Sequence, residues 1–251
     1  MKILADMWRY SEAINHLNPK DDPLFAKCIN FNLIENDLDS LILAEFENRL
    51  LITFRGTKNL KAWISDAKAY PLKDDCEIHK DDGKLANGFH EGWMNYKSTI
   101  LQYIKTMSSK PIFTIGHSRG GVIACICAGS IAEELKLPIS CISFGSPAPG
   151  NKEYRNDYNL LSVNYTRVVH ALDLVTHLPP DTLGFKHPGK EVQLKEAISW
   201  LPEFVRKILI NTQIVDHYYT SYTKALLNYC KQEKDEEGVE AMKLVLKRAK
   251  P

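Results

Sequence analysis

Apolar positions in this chain fall into two kinds of run. Short, nearly continuous ones, at Ser40–Phe46, Leu50–Phe54, Pro111–Ile115, Ile139–Phe144 and Val163–Ala171, have the length of buried strands. Longer stretches at Trp93–Met107 and Gly120–Leu135 read as helices. Glu47-Asn48-Arg49 between the first two strands reads as a hairpin connection. Beyond Phe54, strand alternates with helix, the order of βαβ units. The predicted fold is α/β, with a mostly parallel central sheet flanked by helices. Ligand chemistry in such sheets gathers beyond the carboxyl ends of strands. The loops after Phe54 and after Ala171 lie at such ends, and so does Ser118.

Ser118 sits in Gly116-His117-Ser118-Arg119-Gly120-Gly121, between the strand ending at Ile115 and the helix that follows. Gly-x-Ser-x-Gly at a strand-to-helix turn is the nucleophile elbow of the α/β-hydrolase fold. Side chains at Gly116 and Gly120 would collide across so tight a turn. The serine hydroxyl is thereby pushed to where a base and a carbonyl can both reach it. The bland alternative is a glycine-rich turn with an incidental serine, and partners elsewhere in the chain decide between the two.

A serine nucleophile needs a base, and the base needs an orienting carboxylate. In this fold they follow in the order serine, acid, histidine. Of the eight histidines, His217 alone lies far downstream of Asp173, at the expected start of a helix. Asp173 falls just past the Val163–Ala171 strand, placed to reach a histidine on a neighbouring loop. Asp216 is the rival acid, but a residue adjacent to His217 is poorly placed to hold the far nitrogen of its ring. His117 is read as scaffold, His90 as packing under the site, and His170, His177 and His187 as structural or surface groups.

The ordered motifs resemble those of the class 3 lipases. Phe54-Arg55-Gly56-Thr57 with Trp63 and Asp66, His90-Glu91-Gly92-Trp93, the elbow, Phe144-Gly145-Ser146-Pro147 through Asn151, Asp173-Leu174-Val175 through Pro180, and Asp216-His217-Tyr218 match the family's blocks in order. The resemblance runs from about residue 40 to residue 225. It implies an ester hydrolase with Ser118, Asp173 and His217 as catalytic residues and an oxyanion hole built from Thr57 and the backbone N–H of Arg119. It further implies support of the oxyanion hydroxyl by Asp66, and no cofactor or metal. Lys58–Ile64 occupies the family's lid position, either as a moving lid or as a fixed loop. Two positions depart from the family. Arg119 stands where an apolar residue is common, and a cation in the first turn of a helix opposes the helix dipole. It therefore needs a carboxylate partner or an anionic part of the substrate. Thr176 stands where proline is common and is expected to loosen the loop carrying Asp173.

Composition narrows the rest. A length of 251 residues with 44% apolar content suits one large α/β domain, and a net charge of +1 gives no reason to expect a nucleic-acid partner. The expected division is a hydrolase domain over residues 1–232 and a charged, helical tail over 233–251, which either touches an anionic membrane or docks on the domain. Cys125, Cys127 and Cys141 fall in apolar elements and are expected as buried thiols. Lys73–Asn87 is polar and reads as a surface loop. Ala197, Ile198, Leu201, Phe204, Val205, Ile208 and Leu209 recur at helical spacing, for core packing or for an acyl-chain wall. Met1–Arg9, interrupted by Asp6 and Arg9, has no secretory core, so a cytoplasmic start is expected, with a trimmed leader or export by a leaderless route as the alternatives. The leading expectation is hydrolysis of acylglycerol or phospholipid esters, with transient contact at a lipid interface. A short-chain soluble esterase and a non-catalytic binding module are the alternatives. A histidine base near its ordinary pKa of about 6.5 implies activity that falls in acid.

Overall fold

The computed structural model describes residues 2–16, 18–36, 39–57, 72–73, 82–107, 110–170, 173–194 and 217–248. Asp66, Trp63, the lid-position segment, the 197–209 stretch and Asp216 lie outside the described residues.

In chain order the elements are α1 (Lys2–Ala13), β1 (Asn30–Glu35), β2 (Ser40–Glu45), β3 (Leu50–Phe54), β4 (Leu72–Lys73), β5 (Leu85–Ala86), α2 (Asn87–Lys105) and β6 (Ile112–His117). They continue as α3 (Arg119–Leu135), β7 (Ile139–Phe144), β8 (Gly150–Asn151), α4 (Lys152–Tyr158), β9 (Val163–His170), β10 (Phe185–Lys186), β11 (Lys190–Leu194), α5 (Tyr219–Gln232) and α6 (Glu236–Arg248). Seven strands form the main sheet in the order β1-β2-β3-β6-β7-β9-β11. From β3 to β11 every neighbouring pair is parallel, and β1-β2-β3 is antiparallel. The short strands β10-β8-β5-β4 make a second, four-stranded sheet.

Helices cover both faces of the main sheet, which is why its inner strands β2, β3, β6 and β7 are buried along nearly their whole length. Alternation along each strand sorts side chains between two cores. Leu41, Leu43, Ile52, Phe54 and Cys141 pack with Trp93, Ile100, Ile123 and Ile126 of α2 and α3. Ile42, Ala44, Leu51, Ile115, Ile142 and Phe144 pack with Trp8 of α1, Leu226 of α5 and Met242 of α6. The charged C-terminal stretch thus includes a helix docked on α1 and α5, the helices that cover the sheet's second face. Its Arg248 reaches Asp22 at 2.7 Å.

Local outcomes differ from the pattern in instructive ways. α2 begins at Asn87, six residues before the predicted start at Trp93, because Phe89 and His90 are already buried on the same face. The polar 73–87 stretch ends in strand β5 against β8 rather than staying loop throughout. The edge strands β1 and β11 fall outside the predicted elements: both are short and largely exposed, and their alternation is brief, Phe31 and Leu33 in one and Val192 and Leu194 in the other. Cys125, Cys127 and Cys141 are buried free thiols, as expected, and burial pushes each well upward, Cys125 to about 12.

Candidate active site

Strand ends meet at one edge of the main sheet. Phe54 pairs with Gly116 and His117 with Phe144, so the loops after β3, β6 and β7 leave the sheet side by side. Ser118 follows β6 with φ 57° and ψ −131°, a conformation that non-glycine residues rarely adopt. Its N–H donates to Phe144 O at 2.9 Å, which holds the turn against β7. A Cβ at Gly116 would stand 2.3 Å from the carbonyl of Gly120, and one at Gly120 would stand 2.4 Å from Phe54 O. The collision expected across the turn accounts for Gly116, whereas Gly120 is required by the close approach of the end of β3. Serine is a preferred helix N-cap, yet the Ser118 hydroxyl makes no capping bond to α3.

Asp173 lies just beyond β9 and caps a single 3-10 turn at Leu174–His177, its Oδ1 accepting from Val175 N at 2.9 Å. His217 Nδ1 stands 2.9 Å from Oδ1 and 2.8 Å from Oδ2 of Asp173. Tyr222, one turn into α5, donates its hydroxyl to Oδ2 at 2.7 Å. All three groups are buried, and so is Ser118. A carboxylate on Nδ1 sets the histidine tautomer with Nδ1 protonated and Nε2 bearing the lone pair. Among the described residues, neither His217 Nε2 nor Ser118 Oγ has a hydrogen-bond partner, although both are buried.

His117 is scaffold, as the sequence suggested. Its Nε2 donates to the His217 carbonyl at 2.8 Å, and its ring stacks on the His217 ring with centroids 4.6 Å apart. Burial, aided by the neighbouring His217, holds its pKa well below 6.5, so the ring is neutral. Trp8, Phe144, Tyr219 and Tyr222 form an aromatic bed beneath it. The residue before the nucleophile thereby steadies the backbone of the histidine a hundred residues away in sequence.

Gly56, beyond β3 and just before Thr57, lies against the elbow. A Cβ on Gly56 would lie 2.9 Å from His117 O and 3.4 Å from Ser118 Cβ. As the first helical residue, Arg119 has an N–H without an intrahelical acceptor. Its side chain turns to the buried carboxylate of Asp39, and its second nitrogen donates to Gly88 O at 3.1 Å. The carboxylate partner demanded by the sequence is thus inside the protein. Burial pushes the guanidinium down to about 10, still a cation at neutral pH. Thr176 tightens the acid loop rather than loosening it, because its hydroxyl donates to Asp173 O at 2.7 Å. Of the other histidines, His187 is largely buried and bonds Thr176 O at 2.8 Å, whereas His177 is exposed. Among the described residues no group of three or more His, Cys, Asp or Glu side chains is placed to hold a metal.

Two members of this constellation had no usable signal in the sequence. Tyr222 looks like one more aromatic on an amphipathic helix, and Asp39 like a turn residue.

A parallel sheet wound by helices, with a serine at a strained strand-to-helix turn, defines an α/β-hydrolase. The family model described as Lipase (class 3) matches residues 51–183, more than half of the chain, and the chain belongs to that family. It is 29% identical to a lipase of Rhizomucor miehei over 153 residues, 58% of this chain and 41% of that protein. It is 28% identical over 153 residues to the secreted mono- and diacylglycerol lipase 1 of Fusarium solani, covering 58% of this chain and 44% of that one. These matches span less than half the length of the curated relatives. The fold superposes on the Rhizomucor miehei triacylglyceride lipase structure with TM-score 0.69 at 20% identity, covering 86% of this chain and 92% of that one.

Proposed function

We propose that this protein is a serine carboxylester hydrolase that cleaves acyl esters of lipids, acylglycerols or phospholipids. The observation that carries the reading is the pairing of Asp173 with His217 Nδ1 beside an elbow whose Ser118 hydroxyl has no hydrogen-bond partner among the described residues. Buried polar groups are rarely left without partners, and such exceptions call for a reason. A base and a nucleophile that engage substrate supply one.

In the proposed reaction His217 Nε2 takes the Ser118 proton as Oγ attacks the ester carbonyl. The oxyanion is held by the N–H of Arg119 and by Thr57, with Asp66 supporting the Thr57 hydroxyl. Each such donor is worth about a hundred- to a thousandfold in turnover. The imidazolium, steadied by Asp173, then protonates the departing alcohol and leaves an acyl-serine. Water attacks the acyl-serine, giving its proton to His217. Collapse of the second tetrahedral intermediate returns that proton to Ser118 and frees the acid. No helix among the described residues is long and apolar enough to cross a membrane. Contact with a lipid interface is proposed as transient.

The test is hydrolysis of chromogenic esters of increasing acyl length by wild type and Ser118→Ala, with and without phospholipid vesicles. Serine-dependent turnover that rises with chain length and with an interface supports the lipid reading. Turnover confined to short soluble esters replaces it with a plain esterase. Equal behaviour of the two proteins on every ester removes the enzyme reading and leaves a binding module.

A further inference from the structure

We propose that Arg119 and Asp39 are a positioning pair through which the β1–β2 turn holds both halves of the oxyanion hole in register; this rests on the hydrolase reading above. The turn itself is closed by two bonds, Asn36 N to Asp39 O at 3.0 Å and Asp39 N to Asn36 Oδ1 at 2.7 Å. From it, Asp39 reaches the guanidinium of Arg119, the residue whose backbone N–H is one expected donor. The next residue, Ser40, accepts from Arg55 N at 2.9 Å, two positions before Thr57, the other expected donor. Ser40 Oγ also donates to Glu35 Oε1 at 2.9 Å, and Arg55 Nη1 reaches the same oxygen at 3.4 Å. One turn therefore grips the helix start by a side chain and the β3 end by backbone.

Stability alone is a weak reason for this pair. Removing two charges from water costs about as much as their attraction returns, and well-packed apolar side chains usually do as well. A cation at the start of α3 also works against the helix dipole. What the guanidinium offers that an apolar side chain lacks is direction. Its planar fork makes two oriented contacts, to Asp39 and to Gly88 O. The space it occupies is kept clear at Gly92, where a Cβ would come within 2.7 Å of Nη2. Oxyanion donors act through geometry, so rotation of the first residue of α3 is a catalytic variable.

The experiment is a double-mutant cycle with Arg119→Leu, Asp39→Asn and the pair together, read as kcat, KM and Tm on a soluble ester. Arg119→Lys serves as the conservative variant. Lys110→Met, which breaks the partly buried Lys110–Glu45 pair (2.7 Å) at the opposite end of the sheet, serves as the stability control. Each single change is expected to lower kcat about tenfold with KM within about twofold, the loss for a displaced rather than a deleted donor. The double variant should lose about the same, Arg119→Lys should recover part, and Lys110→Met should lower Tm without lowering kcat. Full kcat in Arg119→Leu, losses that multiply in the double variant, or a Lys110→Met variant whose kcat falls as far as that of Arg119→Leu for the same drop in Tm would overturn the pair's role. Ser118→Ala run alongside separates the two ideas. Serine-dependent wild type with a fully active Arg119→Leu sinks only the pair, whereas wild type no better than Ser118→Ala sinks the hydrolase reading and the pair with it.

Discussion

The hydroxyl of Tyr222 donates to Asp173 Oδ2 at 2.7 Å, the same oxygen that stands 2.8 Å from His217 Nδ1. The acid is thus held on two sides, by α5 and by the 3-10 turn that it caps, and its carboxylate plane is fixed toward the histidine. Tyr222 Oη also accepts from His170 N at 3.2 Å, which ties α5 to the end of β9. A neutral donor to a charged acceptor contributes about 1.5–3 kcal/mol. Tyr222→Phe should therefore lower kcat about tenfold with little change in KM, because the orientation of His217 matters in the transition state rather than in binding. Steady-state kinetics check this, and an unchanged kcat would reduce Tyr222 to packing.

Gly145, at the end of β7, has φ 58°, and a Cβ there would lie 2.8 Å from Asp173 Oδ2, 2.9 Å from Tyr222 Oη and 3.1 Å from His217 Cε1. Alanine at this position is strained in backbone by about 1–2 kcal/mol and also wedges the acid from the base. We expect Gly145→Ala to cut kcat by at least a hundredfold while the protein still folds cooperatively. Circular dichroism melts beside ester kinetics are the check, and an active Gly145→Ala enzyme would contradict the tight packing of acid and base described here.

Two histidines kept neutral by the fold, the buried His117 and the partly buried His187, predict a specific acid sensitivity. Burial holds His187 at about 3, and His117 also lies well below 6.5. Unfolded, both titrate near 6.5, so below that pH the unfolded chain binds more protons than the folded one. Their contribution to stability is complete above about pH 6.5 and is lost progressively as pH falls toward 3. The Tm of the wild type should fall between pH 7 and pH 4, and His187→Gln should show a shallower slope. Parallel curves for the two proteins would mean that His187 is not the neutral, partly buried group described here.

Met242 of α6 is fully buried against the second face of the sheet. Met242→Ala should cost about 2–5 kcal/mol, the range for emptying such a site. If α6 is part of the cooperative unit, urea denaturation will show one transition with a lower midpoint. A separate early transition would make α6 an appendage.

The catalytic elements differ in how far the sequence reveals them. The elbow is written locally, since two glycines, one serine, a preceding strand and a following helix all lie within a few turns of one another. The order of Asp173 and His217 along the chain follows from the fold's winding, so it too can be read without coordinates. That β2 and β3 are buried strands is legible in their nearly unbroken apolar runs, while the structure sorts Leu41 and Leu43 to one core and Ile42 and Ala44 to the other.

The edges and the supports are not legible in this way. β1 and β11 carry mostly exposed side chains, so their apolar alternation is too short to mark a strand, and backbone pairing with β2 and β9 decides it. Periodicity makes the 239–246 stretch amphipathic but cannot say whether water, membrane or protein meets its apolar side, and the packing of α6 against α1 and α5 decides it. Arg119 announces a need for an anion, but only chain folding brings the Asp39 carboxylate across 80 residues to meet it. Sequence alone determined what is short-range, the turn chemistry and the strand and helix periods, because those depend on neighbours along the chain. Tertiary structure decided which distant polar groups meet out of water, because that depends on how the layers pack around one buried edge.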